Sequence, residues 1–103
     1  MTVRIKPDLL DEYRRMHAAV WTEVEAKLRE LGFRKISIFS SGSTLFMYQE
    51  YEGTGPIEAA YEQYAADEAC QRWERLMGRF QETSPGSLPG VRWTVMEEVY
   101  YLG

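Results

Sequence analysis

An α+β domain with the element order β-α-β-β-α-β is what this sequence predicts, on three observations. Thr2–Lys6 alternates apolar and polar residues with period two, and Arg34–Ser40 and Thr44–Glu52 flank a short glycine-containing link as two further strands. Longer stretches between and after these repeat at spacings of three and four, and a β-branched and aromatic run, Val91–Leu102, closes the chain. With no internal repeat, low-complexity segment or linker, residues 1–103 form a single domain.

The first strand puts Val3 and Ile5 on one side and Arg4 on the other. Pro7 ends it, and Asp8 is placed to cap the orphan amides of a helix, with Asp11 in the first turn where a negative charge suits the dipole. Leu9, Tyr13, Met16, His17, Val20, Val24, Leu28 and Leu31 then share one face. This predicts a single amphipathic helix of about six turns, stopped at Gly32.

Ser41, Gly42 and Ser43 join the next two strands as a tight antiparallel hairpin. In the second of them Leu45, Met47, Gln49 and Tyr51 alternate with Phe46, Tyr48, Glu50 and Glu52, so both faces of the sheet begin with large apolar groups. A sheet with helices on one side and water on the other alternates more cleanly. Something is therefore expected to cover the second face.

Gly53–Pro56 breaks the strand, and Pro56 suits the first turn of a helix carrying Ile57, Ala60, Tyr61 and Tyr64. Asp67 and Glu68 can cap a continuation holding Cys70, Trp73, Leu76, Met77 and Phe80. The pattern leaves open one bent helix or two pieces. Thr83–Gly90, with two Pro and two Gly, is a loop before the terminal strand. This order is the ferredoxin-like arrangement, two helices on one face of a four-stranded antiparallel sheet. A covered second face then predicts a two-fold homodimer, a dimeric α/β barrel.

Charge and composition exclude several classes of function. Twelve Lys and Arg against 16 Asp and Glu leave a net charge of −4, whereas nucleic acid needs a basic face. No apolar run reaches the roughly 18 residues of a membrane span, and Pro7 and Asp8 interrupt any signal-peptide core. The lone Cys70 can form no internal disulfide, so a reducing cytoplasm is the expected compartment. One His and one Cys do not compose a zinc site, and Gly53-Thr54-Gly55-Pro56 lacks both the lysine of a phosphate loop and the third glycine of a dinucleotide fingerprint. No metal is expected.

Two groups of residues can carry chemistry. Tyr13, His17 and Trp21 follow in steps of four, so phenol and imidazole lie one helical turn apart with the indole slightly offset. They suit a small polar pocket with an aromatic wall, or equally a core whose polar atoms find backbone partners. Trp73 between Arg72 and Glu74 suits either a sugar platform or a core anchor flanked by solvated charges.

The residues Glu12-Tyr13-Arg14-Arg15-x-His17, Val20-Trp21-x-Glu23, Gly32, Ile36-Ser37-Ile38-Phe39, Leu45-Phe46, Cys70-Gln71-Arg72-Trp73 with Met77, and Glu98-Val99-Tyr100-Tyr101-Leu102 run nearly the whole chain in an order that resembles the L-rhamnose mutarotase family. The resemblance implies a homodimer that interconverts the α and β anomers of L-rhamnose or a related deoxyhexose without metal or organic cofactor. It implies His17 as acid/base, with Tyr13 and Trp73 contacting the sugar; the helical spacing adds Trp21 beside them as a further candidate sugar contact. Two positions depart from the family pattern: Glu74 stands where a second Trp is usual, and Ile36 where Tyr is usual. Both belong to the expected sugar site. Mutarotation removes a proton from the anomeric hydroxyl and delivers one to the ring oxygen, work suited to an imidazole. The expectation is that His17 protonates the ring oxygen and Tyr13 orients the sugar or His17, with water or Glu74 as base. A non-catalytic small-ligand binder of the same architecture is the competing class.

Overall fold

The computed structural model describes residues 1–82 and 93–103, and its elements are β1 (Thr2–Arg4), α1 (Leu10–His17), α2 (Thr22–Leu31), β2 (Phe33–Ser41), β3 (Thr44–Tyr51), α3 (Ile57–Ala66) and α4 (Glu68–Met77). Among the described residues the sheet has three antiparallel strands in the order β1-β3-β2. No helix among them is long and apolar enough to cross a membrane. The expected loop Thr83–Gly90 and the start of the expected terminal strand, residues 91 and 92, lie outside the described residues.

The hairpin forms where expected, with a turn at Gly42 and Ser43, and Gly42 takes the positive φ of 58° that such turns require at their first position. Gly32 ends α2 at φ 111°, and a Cβ there would meet the Cα of Gly53 at 2.6 Å. Only glycine lets the end of α2 and the end of β3 come this close.

Four expectations need correction. Asp8 caps nothing: Pro7 opens a short 3-10 turn, Pro7–Leu9, with Asp8 inside it and no side-chain cap bond. The first helix is two helices. Trp21 is extended at ψ 134°, and its carbonyl accepts the amides of Val24 and Glu25 to begin α2. Val20, Trp21 and Thr22 are β-branched or aromatic and lose rotamer freedom in a helix, which places the break there. The later stretch is also two helices: Asp67 is extended and its carboxylate accepts the Cys70 amide at 3.1 Å, capping α4. Pro56 precedes α3 as its N-cap residue instead of lying in the first turn.

The long terminal strand is the fourth correction. On the free edge of β1, Lys6 N–H donates to the Phe80 carbonyl and Glu82 N–H to that of Arg4, both at 2.8 Å. The segment after α4 thus occupies half of that edge, with Gln81 opposite Ile5. Only Thr2 remains for the end of the chain, and it exchanges two hydrogen bonds with Thr94. Beyond this bridge no ladder forms, and Val95, Met96, Val99, Tyr100, Tyr101 and Leu102 are exposed.

The core lies between the helices and one face of the sheet. Val3, Ile5 and Leu45 from the strands meet Tyr13, Val24, Tyr64, Cys70, Trp73 and Met77 from the helices, all buried. Phe39, Phe46 and Tyr48 stand exposed on the other face, where they face outward in paired register.

Candidate active site

Because β2 and β3 alternate, Ile36, Ile38, Met47 and Gln49 share the face on which the helices lie. The helices do not close completely onto it. A cavity of about 470 Å³ remains between them, within the usual range of roughly 300–1,000 Å³ for small-molecule sites. Val20, Val24, Leu28 and Met77 give it hydrocarbon walls, and Glu25, Arg29, Arg34 and Lys35 stand at its exposed rim.

His17, the last residue of α1, lies half-buried on this cavity. Its Nδ1 is 3.1 Å from the Tyr13 carbonyl. A carbonyl only accepts, so Nδ1 carries the proton and Nε2 is the ring's basic atom. Burial lowers the His17 pKa below its ordinary 6.5, partly offset by that backbone bond, so the ring is neutral at pH 7. The Tyr13 ring stacks on it with centroids 4.2 Å apart at 26°. Trp73 meets His17 edge-on at 5.4 Å.

The polar side of the cavity comes from other elements. Tyr64 O–H donates to Glu74 Oε1 at 2.6 Å, so a carboxylate is held half-buried in the wall. Burial, then the charge and hydrogen bond of Glu74, raise the Tyr64 pKa far above the phenol range. Burial raises that of Tyr13 likewise, with the neighbouring Gln81 amide pulling it down and Glu74 pushing it up. Both phenols stay protonated. Gln49 Nε2 donates to Tyr61 Oη, whose hydroxyl faces the Met1 sulfur at 3.7 Å.

Of the residues singled out in the sequence, Tyr13, His17, Ile36, Trp73 and Glu74 all line the cavity. Trp21 does not. Its ring packs edge-on against Trp73 at 5.3 Å, so the turn between α1 and α2 places it behind Trp73. Arg72 pairs with Glu68 across 3.6 Å at the surface. Sequence reasoning passed over Tyr64, Gln81, Gln49 and Tyr61 as site residues. The three- and four-residue phase marked the two tyrosines as inward, and nothing local marked Gln81. Among the described residues no cluster of three or more His, Cys, Asp or Glu could hold a metal ion.

A family model for L-rhamnose mutarotase matches residues 1–102. The chain belongs to the L-rhamnose mutarotase family. It is 36% identical over 96 residues to an L-fucose mutarotase of Xanthomonas campestris, covering 91% of this chain and 77% of that protein. It is 32% identical over 102 residues to an L-rhamnose mutarotase of Klebsiella pneumoniae, covering 97% and 92%. The fold matches a crystal structure of L-rhamnose mutarotase from Formosa agariphila with a TM-score of 0.76 at 22% identity, over 99% of this chain and 94% of the other. Family membership makes the chain an isomerase of the sugar mutarotase class.

Proposed function

We propose that the chain interconverts the α and β anomers of L-rhamnose, L-fucose or a related 6-deoxyhexose, with His17 as the proton-transfer group. The observation that carries this is an imidazole on the cavity wall whose Nδ1 is committed to a backbone carbonyl, leaving Nε2 as a basic atom at neutral pH. Nε2 takes the proton of the anomeric hydroxyl. As the electron pair of that oxygen forms the aldehyde, the bond from the anomeric carbon to the ring oxygen breaks, and the resulting imidazolium returns the proton to the ring oxygen. Rotation about the first carbon–carbon bond and the reverse steps give the other anomer. In this reading one base serves both oxygens in turn, where the sequence left the base as water or Glu74.

In this reading Trp73 is the platform for the sugar's C–H face, Tyr13 donates from a hydroxyl that stays protonated, Glu74 accepts a hydroxyl, and Ile36 contributes hydrocarbon. Positioned acid/base catalysis contributes roughly 10²- to 10⁴-fold. His17→Gln is expected to lower anomer exchange by about that factor, read by NMR saturation transfer on L-rhamnose and L-fucose. Full exchange by the variant, or ligand shifts without exchange by the unaltered chain, would overturn the assignment.

The same proposal includes a homodimer of ferredoxin-like domains, forming a dimeric α/β barrel. Two features support it. The outer sheet face exposes Phe39, Phe46 and Tyr48, and residues 95–102 expose Val95, Met96, Val99, Tyr100 and Leu102. Contiguous apolar surface of this kind is unusual on a lone chain, and a second copy covers it with identical groups. The two-residue bridge of Thr94 with Thr2 is consistent with the terminal run lying near this edge in such a dimer. A cytoplasmic location suits the single thiol of Cys70.

A further inference from the structure

We infer that Gln81 is a specificity-determining residue of this site, its Oε1 accepting one ring hydroxyl of the bound sugar on the side of the cavity lined by Tyr13. The inference rests on the mutarotase reading and deepens it by naming a donor that the substrate must present.

Gln81 is the one polar residue among the described core, only 3% exposed, and it lines the cavity. Its backbone position is fixed: Lys6 donates to Phe80 and Glu82 to Arg4 on either side of it. Opposite Ile5 in this antiparallel bridge, its side chain leaves on the same face as that fully buried residue, toward the helices. The amide lies beside the Tyr13 hydroxyl and favours its charged form. Its oxygen is the buried side-chain atom without a hydrogen-bond partner among the described residues.

A buried amide oxygen left unpaired destabilises a fold, and chains rarely retain one without a use. Leucine or methionine would fill the same space without that cost. An acceptor here requires a donor from the ligand, and in an uncharged sugar the donors are its hydroxyls. Because the Tyr13 ring stacks on His17, the hydroxyl so held belongs to the part of the sugar near the reacting carbon. A site built around a buried polar atom rejects the analogue lacking its partner much more strongly than a hydrocarbon pocket discriminates by size.

The test uses the full chain with the better of L-rhamnose and L-fucose and the monodeoxy analogues of that sugar, measuring anomer exchange by NMR. The unaltered chain is expected to favour the parent over one particular analogue by roughly 10- to 100-fold in kcat/KM. Gln81→Met should lower the parent to the level of that analogue while leaving the analogue unchanged, mostly through KM. Gln81→Glu, which keeps an oxygen at the same reach, should restore the preference. Equal losses on every sugar in Gln81→Met, or no loss on any, overturn the inference while the mutarotase reading stands. An unaltered chain that exchanges no sugar of the set overturns both.

Discussion

Leu45 and Phe46 are neighbours on β3, yet Leu45 is 2% exposed and Phe46 is 37% exposed. The inner face of the sheet is covered by the chain's own helices, which arch over it and leave a hollow holding His17, Trp73, Tyr64 and Glu74. The outer face carries aromatic groups of similar size that stay exposed among the described residues. Side-chain alternation alone separates the two, so one strand sends its odd-numbered residues to the site and its even ones to the face proposed for the dimer. Hydrophobicity in the sequence predicts cover on both faces; the fold shows which one the chain covers for itself.

The difference can be broken most completely from outside. Placing Asp at both Phe46 and Tyr48 sets like charges against each other across a two-fold contact, with two hot-spot losses of about 2 kcal/mol each. The assembly is expected to fall to single chains at micromolar concentration by light scattering. Unaltered mass would remove the proposed dimer through this face. On the inner face, Leu45→Ala should cost about 2–5 kcal/mol of folding stability by denaturant titration. Phe46→Ala in the same strand should cost the single chain under about 0.5 kcal/mol. Equal costs would mean that the two faces are packed alike.

The smallest effect is that of pH. The folded His17 pKa lies below the ordinary 6.5, so below that value the unfolded chain binds more protons than the folded one. The stability contributed by neutral His17 is fully present above about pH 6.5, and it is lost as pH falls through the folded pKa. Exchange activity should fall over the same window, since a protonated ring cannot act as base. His17→Gln should flatten the stability part. An activity that rises as the pH is lowered would contradict a neutral working form.

The strands, the hairpin, the stop at Gly32 and the cap at Asp67 were legible because each depends on local chemistry: alternation, a positive φ, a short carboxylate before a helix. The break at Ala18–Trp21 was not. The four residues between α1 and α2 preserve the inward phase, so His17, Val20 and Val24 read as one face though two helices present them. That break also explains why Trp21 leaves the cavity while Tyr13 and His17 remain on it. The terminal run forms no ladder on β1 beyond Thr94, because β1 gives half of its free edge to Phe80–Glu82. Gln81 was invisible for the same reason: a long-range backbone bridge puts it inside, and no local pattern encodes that.

Cys70 sits one turn before Trp73 on α4, with none of its surface accessible, and burial followed by the Asp67 hydrogen bond and charge pushes its thiol up to about 12. Sulfur in that state yields almost no thiolate at physiological pH and meets no alkylating reagent until α4 separates from its neighbours. The chain thus contains its own clock for opening of the helical layer, and because Trp73 shares that helix, sugar in the hollow should be felt as a slower tick.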